Sequence, residues 1–545
     1  MFARIKKSGK NQYLQIVQNR RDGKKTIQRV IATLGRLEEL QAKGDIESLV
    51  RSISRFSETA LMVLSGKSNV QAQSRSIGPA LIFERLWKEL QIGTVITDLL
   101  TDRKFSFNVE RAIFLSVLHR LFVSGSDRRC DKWRRDLFVN GGESLKLHHL
   151  YRAMTFLGEA IEDQKDATPF APRCTKDAIE EVLFASRRGL FTGLDCVFFD
   201  TTSIYFEGNG GETIGENGFS KDHRPDLKQM VVGVVLDDRG RPVFSEMWPG
   251  NTTDVKTLVP IVTRMKNRFQ INRFCVVCDR GMISKATMDW LETNGIHYIL
   301  GARMRTTNEV KQDVISRAGR YHEVHPEGDS RKAPSPLDVK EVMVDGNRYI
   351  VCRNRKQARK DERDRKAIIE TLEETLKSGA KSLVGNNGFR KYLKMEKGSA
   401  GIDRERIEAE ARFDGKWVLK TNTALSSEEV ALKYKELWQV EQVFRTMKSI
   451  VDTRPIYHQT DEAIRGHVFC SFLALVLHKE MEVKLEQAGF DLEWPDIKQD
   501  LMALHEIDIE DSGKRFTIRS GCLGTCDKVF KAVGVAVPPT IRESA

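Results

Sequence analysis

The sequence predicts an α/β protein: a mixed five-stranded sheet with helices, interrupted by a β-rich insertion domain and preceded by a small β hairpin unit and a helical region. Three observations predict it. Within residues 186–301, apolar strand-like runs and amphipathic helical patterns follow the order β-β-β-α-β-α-β. Two of the runs end in an acid, "CVFFD" at Asp200 and "CVVCD" at Asp279. The helical pattern that would complete such a sheet begins only at residue 426, after a long charged stretch.

Each element has its own signal. Residues 1–36 read as a small β unit, because "YLQIVQNRRDGKKTIQRVIATLG" holds two strand-like runs around a turn at Asp22-Gly23. From 37 to 185 the pattern is mostly helical, with apolar residues recurring at three and four in "IGPALIFERLWKELQI" and "NVERAIFLSVLHRLFV". A basic run follows, with Arg128, Arg129, Lys132, Arg134 and Arg135 around Trp133. It reads as a solvated loop or as a DNA contact, which makes 37–185 a candidate DNA-binding region. In 194–206, "LDCVFFDTTSIYF" is a strand; 229–251 is a hairpin turning near Asp238-Arg239-Gly240; 253–269 is an amphipathic helix that Pro260 should kink. "RFCVVCD" is the fourth strand, "SKATMDWLETNG" a helix capped by Ser284 and stopped by Gly295, and "IHYILG" the fifth strand. An acid on the first strand and another at the end of the fourth is the layout of the ribonuclease H-like fold, in which a final helix carries a third acid.

Residues 302–425 read as the insertion domain. "VMVDGNRYIVCRN" and "ARFDGKWVLKTN" look like hairpins with Asp-Gly turns, and between them lies a highly charged helix, either a solvated face or a surface that tracks DNA. The core resumes over 426–490: Ser426 and Glu429 form a capping box, Arg454-Pro455 closes the pattern, and 467–487 is a second long helix. Residues 491–545 signal weakly, with a strand at "KRFTIRS", and are a candidate dimerisation or DNA-contact region.

Composition narrows the partners. The chain has 88 Lys and Arg against 76 Asp and Glu, a net charge of +12, which suits a phosphate-rich partner. No apolar segment follows the basic start "MFARIKKSGK", and the apolar run at 468–477 is about half a membrane span. The expectation is a soluble, intracellular protein with no membrane partner. Nine cysteines form no disulfide framework. "CVVC" has zinc-like spacing, but alternation turns Cys275 and Cys278 to opposite faces of a strand. Buried inert thiols fit better than a four-cysteine site completed by Cys522 and Cys526.

"YKELWQVEQVFRTMKS" carries the remaining chemistry. Tyr434, Glu441 and Lys448 stand seven apart, within about 20° of one line on a continuous helix. Leu437, Val440, Phe444, Met447 and Val451 form the core-facing stripe, so the polar line borders the buried face. Asp200 and Asp279 both follow apolar strand residues, and carboxylates held side by side call for a cation or a shared proton. Three acids from two strands and a helix can hold two Mg²⁺ ions roughly 4 Å apart, the arrangement for in-line phosphodiester displacement.

These segments, with "GFSKDHRPDLKQMVVGVVLDDRGRPVFSEMWPGNTTD" and "VVCDRGMIS", resemble the DDE transposases of bacterial insertion sequences. The resemblance is to the branch marked by Tyr-x2-Arg-x3-Glu-x6-Lys, and within it to the subgroup numbered sixteen-thirty-four. It covers about 190–480, and the opening hairpin is similar to that subgroup too. It implies that Asp200, Asp279 and Glu441 are the catalytic, metal-binding triad, with two Mg²⁺ ions for which Mn²⁺ can substitute. It implies phosphate contacts by Tyr434 and Lys448, double-stranded DNA at element ends and target as substrate, a homodimer pairing two ends, and a place in the bacterial cytoplasm at the nucleoid. One position departs: Leu437 stands where the signature has Arg, and Arg445 is near it in angle. His223 and Arg224 meet DNA or order a loop, Arg280 touches phosphate or points to solvent, and Asp254 reads first as a helix cap. The function implied is cut-and-paste transposition. The alternatives are a nuclease of the same fold without strand transfer and a non-catalytic DNA-binding derivative.

Overall fold

The computed structural model describes residues 2–22, 25–54, 71–165, 167–168, 171–186, 195–271, 274–325, 335–377, 391–396, 399–511 and 514–544. Gly23, in the first expected turn, lies outside them. The chain divides into two units, one of residues 88–127 and 146–480, the other of residues 1–87, 128–145 and 481–545. No helix among the described residues is long and apolar enough to cross a membrane.

The larger unit is organised by one sheet. Its strands are β1 (Asp195–Tyr205), β2 (Gln229–Leu236), β3 (Pro242–Pro249), β4 (Phe274–Cys278), β5 (His297–Ala302), β6 (His322–Val324), β7 (Leu337–Val344), β8 (Asn347–Arg353) and β9 (Lys416–Thr421). The helices used below are α1 (Thr175–Ser186), α2 (Leu258–Phe269), α3 (Lys285–Thr293), α4 (Arg355–Lys377), α5 (Ser427–Lys435) and α6 (Trp438–Ser449). The order across the sheet is β6-β7-β8-β9-β5-β4-β1-β2-β3. β1, β4 and β5 run parallel, and the remaining pairs are antiparallel. Every residue of β2, β3 and β4 is buried. Burial on both faces is why these strands read as continuous apolar runs.

The expected order β-β-β-α-β-α-β holds from β1 to β5. The five-stranded sheet does not. β9 pairs antiparallel with β5, from Val418 opposite Ala302 to Thr421 opposite Ile299, so four strands of 302–425 extend the sheet to nine, while Leu393–Glu396 and Ser399–Ile402 pair in a separate two-stranded sheet. An uncovered β5 would expose a row of unpaired backbone groups, and β9 satisfies them. "ARFDGKWVLKTN" is not a hairpin: a helix, Arg404–Ala411, leads into β9 through Asp414-Gly415. Gly415 has φ +61°, and a Cβ there would lie 2.4 Å from the Asn354 carbonyl oxygen. The Asp345-Gly346 hairpin between β7 and β8 forms as expected, with both residues at positive φ. Pro260 does not kink its helix. It is the third residue of α2, where the backbone N–H has no intrahelical partner to lose.

The helix expected to run unbroken through 434–449 is two helices. α5 ends at Lys435 and α6 starts at Trp438. The bonds Leu437 N to Tyr434 O (3.1 Å), Gln439 N to Glu436 O (2.9 Å) and Val440 N to Leu437 O (3.0 Å) all close three-residue rings. Such a turn advances about 120° per residue instead of 100°. The seven-residue line therefore does not cross the junction: Tyr434 lies on α5, Glu441 and Lys448 on α6.

A buried ionic cluster joins α1, α2 and β3. Arg268 contacts Asp177 Oδ1 at 3.0 Å and Glu180 Oε2 at 2.9 Å, Lys176 Nζ contacts Asp177 Oδ1 at 2.8 Å, and Arg264 contacts Glu246 Oε2 at 2.7 Å. Glu180 Oε1 also accepts from the Ser245 backbone N–H at 2.9 Å. Asp177 is held below the usual carboxylate range by Lys176 and Arg268, against the effect of burial. The partly exposed Glu181 also contacts Arg268 Nε at 3.0 Å; the fully buried members are three cations and three acids, and removing one leaves a buried charge uncompensated.

The smaller unit carries a three-stranded antiparallel sheet from Phe2–Ser8, Asn11–Asp22 and Lys25–Arg36. It also carries a four-stranded sheet in which Gln71–Ser76 pairs with His505–Asp511, itself paired with Lys514–Arg519. The last of these is the strand expected at "KRFTIRS". Gly78 lies against this unit's helix Trp494–Ala503, and a Cβ there would sit 2.2 Å from the Leu501 carbonyl oxygen.

Substituting Arg268→Met should lower the unfolding free energy by about 3–5 kcal/mol, because Asp177 and Glu180 lose their shared cation inside the protein. Urea denaturation at neutral pH measures this; a change below about 1 kcal/mol would show that the cluster does not bind α1 to the sheet.

Candidate active site

The register of β1 on β4 sets Phe199 beside Cys278, so the next residues, Asp200 in the middle of β1 and Asp279 just past the end of β4, lie side by side. Alternation fixes their face. Val197, Phe199 and Cys278 share a core with Leu258, Met265 and Leu291 of α2 and α3. Asp200 and Asp279 therefore turn to the opposite face, where α6 packs on β1 and β2.

Asp200 accepts a hydrogen bond from the Thr201 N–H at 2.7 Å. Burial pushes its pKa up to about 6; the charges of Asp279 and Asp254 add to this, while Lys221 and the Thr201 N–H oppose it. Asp254, expected to cap a helix, does something else. The Thr201 hydroxyl donates to Asp254 Oδ1 at 2.6 Å, and Lys221 Nζ lies 3.4 Å from Oδ2. Lys221 Nζ also donates to the Thr201 carbonyl at 2.7 Å. The neighbouring Gly281 would bring a Cβ within 3.5 Å of Asp254 Oδ2. Nothing local in the sequence marks Lys221 or Thr201; only their joint contact with Asp254 singles them out.

Tyr434 reaches this face from α5 and donates its hydroxyl to Asp279 Oδ1 at 3.1 Å. Burial and the Asp279 charge both raise its pKa. Gly301 of β5 makes room for it: a Cβ there would lie 2.4 Å from the phenol oxygen. Glu441 is exposed in the first turn of α6. Among the described residues no group of three or more His, Cys, Asp or Glu side chains is placed to hold a metal ion, neither Asp200, Asp279 and Glu441 together nor a set of four cysteines. None of the nine cysteines forms a disulfide, and Cys275 and Cys278 are buried.

Lys448 Nζ donates to Asp222 Oδ1 at 2.8 Å. Arg445 is exposed on α6, and Leu437 is buried, on the core side as expected. Arg280 is exposed next to Asp279, and its carbonyl accepts from Arg303 Nε at 3.2 Å. His223 is exposed at φ +57°. Arg224 pairs with Asp226 at 2.9 Å and lies 5.6 Å over the Tyr205 ring, which orders the loop. The run at 128–135 is a helix, Asp127–Trp133, followed by a short turn, Arg134–Asp136, rather than a loop. Trp133 is buried there, while Arg128, Arg129, Lys132 and Arg135 are exposed and Arg134 bonds Asp131 at 2.9 Å. These five basic residues belong to the smaller unit.

The donors on β1 and just past β4 are carboxylates, hard oxygen ligands that suit a divalent cation. A buried aspartate with two further acids in electrostatic reach is also a place where such a cation relieves repulsion.

The family of the transposase DDE domain matches residues 192–477, more than half of the chain. The chain belongs to the DDE transposase family, and it is a DNA transposase, an enzyme whose partner is DNA. The N-terminal domain of IS1634 family transposases matches residues 3–65, which places the chain in the IS1634 group. DDE transposases use divalent metal ions. A solved structure, the piggyBac transposase synaptic complex with hairpin DNA, is similar over 78% of this chain and 79% of that chain, with 9% identity and a TM-score of 0.36. No curated protein matches the chain.

Asp200 gives a pH prediction. Its folded pKa of about 6 exceeds the unfolded value of about 3.9, so the folded state binds more protons between them. Without divalent ions, stability should fall as pH rises through this window, and Asp200→Asn should remove that loss. The variant should be more stable than wild type by about 1–3 kcal/mol at pH 8 in chelator, and equal to it near pH 4. Denaturation at both pH values checks this, and an Asn variant no more stable at pH 8 would contradict it.

Proposed function

We propose that Asp200, Asp279 and Glu441 are the three catalytic acids of a ribonuclease H-like core that carries out cut-and-paste transposition. The observation that carries this reading is the exit of Asp200 and Asp279 from adjacent parallel strands onto one face, with α6, the helix of Glu441, packed on that face. The aspartates and Glu441 would hold two Mg²⁺ ions, with Mn²⁺ able to replace them. When bound, the ions supply activation of water or a 3′-hydroxyl and stabilisation of the leaving oxygen.

The chain's own groups prepare the acids. The Thr201 N–H orients Asp200, and the Tyr434 hydroxyl orients Asp279. Glu441 supplies the third acid from α6, which packs on β1 and β2. The exposed cations Arg280 and Arg445 on the larger unit contact DNA phosphates, as do Lys448 and His223. Arg128, Arg129, Lys132, Arg134 and Arg135 form a second basic surface, within the DNA-binding region 37–185. The protein binds the terminal inverted repeats of its element, cuts to expose a 3′-hydroxyl, and joins that end to target DNA as a homodimer that pairs two ends. In domain terms, 1–36 is a small β unit, 186–301 and 426–490 are the two parts of the core around the insertion 302–425, and 491–545 serves dimerisation or DNA contact.

Asp200→Asn, Asp279→Asn and Glu441→Gln should each abolish Mg²⁺-dependent cleavage of a duplex carrying the element's end while leaving its binding within about twofold of wild type. Normal cleavage by any one of them removes that residue from the triad. The DNA flanking the gene separates transposition from simple nuclease action: short inverted repeats bounded by direct repeats are expected there, and their absence favours a nuclease.

A further inference from the structure

The loop before β2 presents two adjacent charges to two different places. Lys221 reaches Thr201 and Asp254 beside Asp200. Asp222 turns the other way, to the end of α6 and the segment after it. Its Oδ1 accepts from Lys448 Nζ at 2.8 Å and is also contacted by Arg454 Nη1. Among the described residues, its Oδ2 is buried without a hydrogen-bond partner. The Asp222 side chain is only 8% exposed, against 16% for Lys448 and 26% for Arg454. An arriving anion therefore meets the two cations before the carboxylate beneath them.

The charges explain why a carboxylate sits there. Lys448 is partly desolvated, and Arg454 and Lys221 both push against its ammonium, which Asp222 offsets. Take Asp222 away and three cations face one another. The match to Asp222 is imperfect, since both cations converge on one oxygen while the other is buried unsatisfied, a costly state for a charged acceptor. A phosphodiester, like a carboxylate, spreads one negative charge over two oxygens, but one arriving from solvent can turn one oxygen to Lys448 and the other to Arg454. Lys221 acts electrostatically on both Lys448 and Asp200, so the fork lies within reach of the acid site.

We propose that Lys448 and Arg454 form a phosphodiester-binding site that Asp222 occupies as an internal stand-in, and that DNA binds there by displacing Asp222. The site rests on the reading of this face as the DNA-bearing face, and it adds Arg454 and Asp222 to that reading. The displaced loop carries Lys221 with it, so phosphate arrival at the fork is coupled to the setting of Thr201 and Asp254 beside Asp200.

The test is binding of a duplex carrying the element's terminal repeat, in chelator so that no cleavage occurs. Asp222→Asn should tighten binding by about threefold or more at about 0.15 M salt and steepen the slope of log K against log salt by about one. Asp226→Asn removes the same charge from the same loop but touches neither cation, and should change neither quantity. In a Lys448→Ala, Arg454→Ala background, Asp222→Asn should have no effect. Binding no tighter than wild type makes Asp222 a structural brace and overturns the proposal, as does an equal gain in Asp226→Asn. If Asp222→Asn does not fold, hydrogen exchange in the wild type decides: residues 218–226 should exchange faster when the duplex is added, and unchanged or slower exchange rejects displacement. Cleavage by Asp200→Asn would sink the active-site reading; a dead Asp200→Asn together with unimproved binding by Asp222→Asn sinks only this inference.

Discussion

The parallel pairing of β1 with β4 is the constraint on which the site depends. With Phe199 beside Cys278, the acids that follow must emerge side by side. Each is fixed to the same face by alternation, because the residue before it is committed to the core under α2 and α3. A register slip of one residue would bury one acid in that core and expose an apolar side chain at the site. Such a slip would cost core burial, so the apolar strand pattern opposes the repulsion between two carboxylates that sit beside each other in the interior of the sheet. The hydrophobic pattern of two short strands therefore holds together groups that repel each other.

Around this pair the chain places supports of different kinds. Tyr434 donates to Asp279 across a gap that exists because residue 301 is glycine. Thr201 and Lys221 tie Asp254 to the strand that bears Asp200. Farther off, the buried cluster of Lys176, Asp177, Glu180, Glu246, Arg264 and Arg268 fastens α1 and α2 to the outer strand. Buried ion pairs contribute little net stability against an apolar alternative, but they tolerate few other geometries. Such a cluster is suited to fixing where α1 meets the sheet that positions the acids.

Much of the core was legible in the sequence because local signals and burial coincide there. β1 to β5 hold apolar runs on a sheet buried on both faces, and Asp200 and Asp279 follow directly on two of these runs. The break between α5 and α6 was not legible, since apolar residues at 437, 440, 444 and 447 keep helical spacing through a tightened turn that needs neither Gly nor Pro. Asp-Gly at 414–415 was misread as a hairpin turn, because glycine at positive φ serves a helix end as well. The join of β9 to β5 and the contact of Asp222 with Lys448 link residues more than a hundred positions apart, and no local pattern encodes them. Asp254 was read as a cap because the helix start is local, whereas its partners Thr201 and Lys221 are not.

The central claim is that Asp200, in the middle of β1, and Asp279, just past β4, together bind divalent ions. Titration of Mn²⁺ followed by electron paramagnetic resonance tests it without DNA or turnover. The wild-type protein should bind Mn²⁺ and quench the free-ion signal, and Mg²⁺ should compete. An Asp200→Asn, Asp279→Asn double variant with an unchanged circular dichroism spectrum should lose that binding. Equal Mn²⁺ binding by the double variant would contradict the account.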